Sequence, residues 1–263
     1  MSLPIALPQE VVAAYPHASS EVVWILNPQG AVWRLIEPGN DPVYVKVLEH
    51  GLYPNLEDER ERIEWASDRL PVSPVLGRGS DEKVEWLALG ALPGRDATHP
   101  ELMGDPETTV PILGRGLRAF HETEAAECPF DFSLDAALVH GRRRVDGDGV
   151  PKSRGDFHEE HLHLDPTGAL RVLEATRPDS EDLVLCHGDY CFPNILIRDG
   201  RATGFLDLGE MGVADRWWDL AVATWSCDWN VGPGYQDLFL ESYGIERDED
   251  RIAYYRLLYD LAS

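Results

Sequence analysis

Two carboxylates and a carboxamide, Asp189, Asn194 and Asp207, fall close together in one stretch of this chain. The first two lie in His187-Gly188-Asp189-Tyr190-Cys191-Phe192-Pro193-Asn194, and the third closes Phe205-Leu206-Asp207. All three offer hard oxygen donors of the kind Mg²⁺ takes. Phosphoryl transfer needs such a cation against the developing charge. It also needs a carboxylate to orient the attacking hydroxyl or accept its proton. Asn194 and Asp207 suit the metal, and Asp189 suits the hydroxyl. The plainer alternative is that Asp and Asn cap turns at strand ends. It covers any one of these residues but not the whole string, which ends in Asp207-Leu208-Gly209.

These residues need elements to place them. The apolar run Leu183 to Cys186 reads as a buried strand delivering His187. Asn194 to Ile197 reads as a strand, Arg198-Asp199-Gly200-Arg201 as an Asp-Gly turn, and Thr203 to Leu206 as the returning strand. A two-residue Asp199-Gly200 loop places Asn194 opposite Phe205. Asp207 then lies diagonally from Asn194 on the same face, about 7–8 Å away. An odd-numbered loop would put the two on opposite faces.

A second candidate lies near the N-terminus. Val43-Tyr44-Val45-Lys46-Val47-Leu48 alternates as a strand, with the valines on one face and Tyr44, Lys46 and Leu48 on the other. A lysine there wants a partner, because burying a lone ammonium is costly. The helix predicted over Glu57 to Leu70 offers Glu57, Glu59 and Glu61. An edge-strand lysine that guards against aggregation would read the same way.

The string His187-Gly188-Asp189, Asn194, Asp207-Leu208-Gly209 resembles the catalytic and metal motifs of the aminoglycoside phosphotransferase family, relatives of the protein kinases. Gly212 to Arg216, Asp219-Leu220-Ala221 and Arg251 to Leu258 are similar to its 3′-phosphotransferase branch. The resemblance implies ATP, or GTP, as phosphoryl donor with Mg²⁺, and Asp189 as the catalytic residue. Lys46 would contact the α/β-phosphates, with Glu59 as its partner. Backbone groups near Leu89 and Ala91 would hold the adenine. Asp219 would brace the catalytic loop. The acidic segment Asp156-Phe157-His158-Glu159-Glu160 would line the drug cleft, where carboxylates suit a substrate carrying several ammonium groups. Asp156, Glu159 and Glu160 are its candidate ligands, and Asp260 is a fourth near the end of the chain. The same acidic residues would also suit a helix N-terminus. The sequence departs from its relatives at Glu210, where arginine is usual, at His158, and in its last residues. Those departures touch the drug contacts more than the nucleotide machinery, so a kinase of another small hydroxyl compound, or a non-catalytic nucleotide-binding relative, stays as an alternative.

Composition sets the limits. The 263 residues carry a formal net charge of −24, which repels nucleic acid and anionic membranes and attracts cations. The four cysteines form no Cys-x-x-Cys pair, which suits a reduced, cytoplasmic protein. No apolar run reaches membrane-spanning length.

Along the rest of the chain, Gln9 to Tyr15 reads as a short amphipathic piece, and Glu21 to Leu26 and Ala31 to Ile36 as a hairpin around Asn27-Pro28-Gln29-Gly30. Gly77 to Lys83 reads as a turn, followed by a strand from Val84 that ends in Gly90-Ala91-Leu92-Pro93-Gly94, a suitable hinge. Pro111 to Ala126 reads as a helix, with His121 packed rather than ligating. Trp217, Trp218, Trp225 and Trp229 read as core. The expectation is an α+β, two-lobed protein-kinase-like fold. Residues 1–92 would form a small lobe with an antiparallel sheet and a helix, and residues 93–263 a mainly helical catalytic lobe. The protein is expected to act on a cationic small molecule as a monomer or weak dimer.

Overall fold

The computed structural model describes residues 5–26, 29–147 and 153–263. Asn27, Pro28, Lys152 and the start of the uneven segment after Gly147 lie outside the described residues. The chain divides into two compact units, Met1–Pro93 and Gly94–Ser263.

The first unit runs α1 (Gln9–Ala14), β1 (Ser19–Leu26), β2 (Gly30–Ile36), β3 (Val43–Glu49), α2 (Leu56–Ala66), β4 (Val75–Ser80) and β5 (Val84–Gly90). Its strands form one antiparallel sheet in the order β1-β2-β3-β5-β4. Val45 and Val47 point into the core with Leu35, Ala88 and Val11, the last supplied by α1. The alternation of β3 therefore leaves Lys46 on the other face. α2 begins at the Asn55 cap, whose side chain accepts from the Asp58 amide at 2.7 Å. Its buried residues are Leu56, Glu59, Ile63 and Ala66, one stripe at helical spacing. A carboxylate on that stripe must find a partner, and Glu59 finds Lys46. The helix ends at Ala66, short of the Leu70 expected from sequence.

The expected turn over Gly77 to Lys83 is instead mostly β4, with the reversal at Asp81 to Lys83. The glycines answer to a neighbour rather than to a turn. Gly79 pairs with Trp86 of β5, and a Cβ there would lie 2.5 Å from the indole Nε1. Glycine in a strand marks such close approaches.

The second unit runs β6 (Arg95–Asp96), α3 (Pro100–Met103), α4 (Pro106–His121), α5 (Leu134–Asp146), α6 (Pro166–Ala175), β7 (Leu183–Cys186), β8 (Ile195–Arg198), β9 (Arg201–Phe205), β10 (Gly212–Asp215), α7 (Trp217–Val231), α8 (Gln236–Tyr243) and α9 (Glu249–Ala262). α4 starts five residues before the expected Pro111, because Asp105 caps it and Pro106 takes the first helical position. The strands form a β7–β10 pair and a β6-β8-β9 sheet. α7 is buried continuously from Trp217 to Cys227, as befits a helix apolar on all sides. α9 packs on α5, α6 and α7, and α4 packs on α8.

Gly79→Val should lower the stability of the protein by about 1–3 kcal/mol through overpacking against the indole. In a Trp86→Leu background the same change should cost far less. A thermal-denaturation cycle would test this, and additive effects would show that the glycine answers to something else.

Candidate active site

β7 hands the chain to His187 at the level of the first turn of α7, and one carboxylate fixes the junction. Asp219 is fully buried; its Oδ2 accepts from the His187 amide at 2.6 Å and its Oδ1 from the Gly188 amide at 2.8 Å. Trp218 Nε1 donates to the Gly188 carbonyl at 2.8 Å, and Ser226 Oγ accepts from the Phe192 amide at 2.9 Å. One face of α7 thus serves as the template for the loop. Gly188 has φ of +91°, and a Cβ there would lie 2.4 Å from the Glu210 carbonyl oxygen. Only glycine meets both demands. Behind Asp219, His121 Nε2 lies 3.0 Å from Oδ2, and its Nδ1 lies 2.8 Å from the Tyr243 hydroxyl. His121, Cys186 and Asp219 bring donor atoms within 4.8 Å of one another. The Asp219 oxygens are already taken by two amides and a histidine, so this cluster is a brace.

The loop presents Asp189 half-buried. Its Oδ2 accepts from Asn194 Nδ2 at 2.8 Å, and its Oδ1 accepts from the Tyr259 hydroxyl at 3.1 Å. Burial pushes the Asp189 carboxyl above its ordinary value, and the charge of Asp207 adds to this. A carboxylate raised in this way is a stronger proton acceptor. Cys191 is itself raised, by burial first and then by Asp189. His187 is fully buried among Phe120, Tyr190 and Phe205, and burial lowers its pKa, keeping it neutral.

The hairpin differs in detail from its sequence reading. Asp199 and Gly200 do form the two-residue turn, with φ of +51° and +71°. A bulge then shifts the register between Leu196 and Ile197, so that Ile195, not Asn194, faces Phe205. Asn194 belongs to a 3₁₀ turn spanning Phe192–Asn194, and its carbonyl accepts from the Leu206 amide at 2.8 Å. Asp207 lies beyond β9 at φ of +60°, in the left-handed region that few non-glycine residues adopt. Strand alternation therefore decides neither side chain. A bulge, a 3₁₀ turn and a left-handed residue bring both toward Asp189. The result fits a hard dication. Asp207 is exposed, Asn194 Oδ1 is a neutral oxygen donor, and the mutual repulsion of Asp189 and Asp207 is what a cation would relieve.

In the first unit, Lys46 Nζ lies 2.6 and 2.8 Å from the two Glu59 oxygens. Of the rival glutamates, Glu57 pairs with Arg60 and Arg78, which lower its pKa to about 2, and Glu61 lies 3.6 Å from Arg60. Leu89 is buried in β5 opposite Tyr44. The Ala91 amide donates to the Pro42 carbonyl at 3.2 Å, so an adenine reading that amide would have to exchange a bond.

The acidic segment is divided between solvent and structure. Glu159 is exposed. Asp156 is exposed but accepts from the Ser153 amide and hydroxyl, closing a short 3₁₀ turn. Glu160 accepts from Trp225 Nε1 at 2.9 Å and lies 3.4 Å from Arg256. Asp260, expected among the substrate carboxylates, is instead turned inward, where it meets His161 Nδ1 at 2.5 Å and the His158 amide at 3.1 Å. An internal histidine answers its charge. Glu210 is likewise buried and accepts from Ser263 Oγ at 2.8 Å. Trp217, Trp218 and Trp225 are core as expected, but Trp229 is 52% exposed and stacks on Trp225 at 5.6 Å. Tyr259, His161 and Arg256 have no local signal of a role in the sequence. Tyr259 and Arg256 come to the site on α9, distant in the chain, and His161 stands beside Glu160.

The model of the phosphotransferase enzyme family matches residues 29–255. The chain belongs to the aminoglycoside phosphotransferase family. An aminoglycoside 3′-phosphotransferase from Streptomyces fradiae is 38% identical to this phosphotransferase over 213 residues, 78% of each chain. Among solved structures, an aminoglycoside-3′-phosphotransferase of type VIII superposes with a TM-score of 0.83 at 33% identity, covering 96% of this chain and 97% of that one. APH(3″)-Id from Streptomyces rimosus, in complex with ADP and streptomycin, gives a TM-score of 0.75 at 26% identity, covering 96% of each chain. The fold of this phosphotransferase is the α+β, protein-kinase-like one. Among the described residues, no helix is long and apolar enough to cross a membrane.

Asp219→Asn should turn an amide NH₂ toward one of the donors that Asp219 now accepts, at a cost of about 2–4 kcal/mol. Thermal unfolding would show it, and an unchanged midpoint would mean that the brace is dispensable. Cys186 is buried and its thiol is held well above its ordinary pKa, while burial pushes the Cys227 thiol up to about 12. Both should resist alkylation in the native state and react fully in denaturant, as mass mapping after iodoacetamide treatment would report.

Proposed function

We propose that this phosphotransferase moves the γ-phosphoryl group of ATP, or of GTP in its place, to a hydroxyl of an aminoglycoside, with the 3′-hydroxyl as acceptor. One observation carries the reading. Asp189 is held by donors at both oxygens, raised in pKa by burial and flanked by Asn194 and Asp207. That is a proton acceptor beside a dication site. The names of the relatives support the substrate class, and the ADP bound in the Streptomyces rimosus enzyme supports the nucleotide.

Asp189 orients the acceptor hydroxyl and takes its proton as the oxygen attacks phosphorus. Asp207 and the Asn194 carboxamide oxygen would hold Mg²⁺, which when bound neutralises charge on the phosphate oxygens. Lys46, steadied by Glu59, meets the α- and β-phosphates, and the backbone around Leu89 and Ala91 receives the adenine. Positioning and charge stabilisation supply most of the acceleration, because this chemistry asks little covalent work of the protein. Glu159, Glu160 and Asp156 meet the ammonium groups of the substrate, and the net charge of −24 draws a polycation toward the protein. Asp260 contributes through His161 and the His158 amide. The nucleotide requirement and the four free cysteines support a cytoplasmic location for a monomer or weak dimer.

Asp189→Asn should lower kcat by about 10²-fold or more while leaving nucleotide affinity near normal. Asp207→Ala should weaken magnesium-dependent nucleotide binding, read by titration with and without Mg²⁺; identical affinities would remove Asp207 from the metal. Turnover with kanamycin- and neomycin-type compounds, and none with analogues that lack the 3′-hydroxyl, would support the position of transfer. Turnover with streptomycin alone would move it to a 3″-hydroxyl. Magnesium-dependent nucleotide binding without stimulation by any of these compounds would point to another hydroxyl substrate.

A further inference from the structure

We propose that Tyr259 is a positioning residue for Asp189: its phenol fixes the carboxylate in the orientation from which it receives the acceptor hydroxyl. This rests on the reading of Asp189 given above. Tyr259 stands on α9, 70 positions from Asp189 in the chain, and its hydroxyl reaches Oδ1 at 3.1 Å while Asn194 Nδ2 reaches Oδ2 at 2.8 Å. The terminal torsion of an aspartate is soft and roughly two-fold. One donor leaves the carboxylate free to rock about that torsion. Donors at opposite oxygens hold its plane. Each oxygen keeps a second lone pair, so an incoming hydroxyl can still donate to it.

The phenol is itself well located. Its ring meets Trp218 edge-on at 6.2 Å and Trp225 edge-on at 6.3 Å. Trp218 is tied to the Gly188 carbonyl and Trp225 to Glu160, so the frame of Tyr259 spans the loop that bears Asp189 and the acidic segment. Burial, with Asp189 and Glu210 close by, keeps the phenol protonated and therefore a donor.

A buried tyrosine needs some acceptor, and a backbone carbonyl serves as well as any. Tyr190, in the same loop, shows this choice, donating to the Leu113 carbonyl at 2.9 Å. Tyr259 spends its proton on the reactive carboxylate instead.

The test compares Tyr259→Phe with Asp189→Asn, using MgATP and kanamycin. Phenylalanine keeps the ring against both tryptophans and removes only the donor. Tyr259→Phe should lower kcat about 10-fold, with KM for MgATP and for kanamycin within about twofold of the parent. Its thermal midpoint and its nucleotide affinity, read by titration, should stay close to the parent's. A residue that merely fills space would not split kcat from KM in this way. If Asp189→Asn is inactive and Tyr259→Phe turns over within twofold of the parent, the positioning role is wrong. A raised KM for kanamycin at unchanged kcat would also overturn it, making Tyr259 a binding residue. Normal turnover by Asp189→Asn would instead remove the reading of Asp189 on which the proposal stands.

Discussion

A charge buried without water must be answered in full, and the carboxylate of Asp219 is answered by the very backbone that leads to Asp189. Its two oxygens take the amides of His187 and Gly188, and His121 closes the set from behind. Hydrogen bonds to a charged acceptor contribute about 1.5–3 kcal/mol each, whereas an unanswered buried carboxylate costs several. The turn after β7 can therefore take few other shapes. Its glycine has no room for a side chain, and its histidine is boxed by three aromatic rings. α7, buried from Trp217 to Cys227, holds Asp219 in a place where solvent cannot compete.

The three groups brought together there sit on irregular backbone. Asp189 leaves a turn, Asn194 ends a 3₁₀ segment, and Asp207 occupies left-handed space beyond a bulged strand. Regular elements bring the chain to the site, and departures from regularity aim the side chains. The left-handed backbone of Asp207 costs about 1–3 kcal/mol and persists because its surroundings enforce it. Here the β6-β8-β9 sheet and the β7–β10 pair supply that enforcement.

This division explains what the sequence could and could not disclose. The strands around Lys46 and before His187, the Asp199-Gly200 turn and the triad Asp189, Asn194, Asp207 were legible because each is a local pattern. Glu59 was legible only as one of three glutamates until the buried stripe of α2 singled it out. The register of the hairpin was misread because a bulge leaves no trace in alternation. The strand β4 was hidden because Gly77 and Gly79 look like turn residues until Trp86 is seen across from them. Asp260 and Tyr259 were the hardest to read. Both stand on α9, and their partners, His161 and Asp189, lie 99 and 70 positions away. Spacing along a chain says nothing about contacts of that range.

Cys191 has a consequence for inhibitor chemistry. A cysteine two residues from Asp189 looks like a natural anchor for an electrophilic drug. Such warheads react with thiolates. Burial, together with the charges of Asp189 and Asp207, holds this thiol neutral. The negative charges of Asp189 and Asp207 thus disarm the nucleophile beside them. A covalent ligand that brought a positive charge of its own beside these two carboxylates would favour the thiolate and so the bond to Cys191.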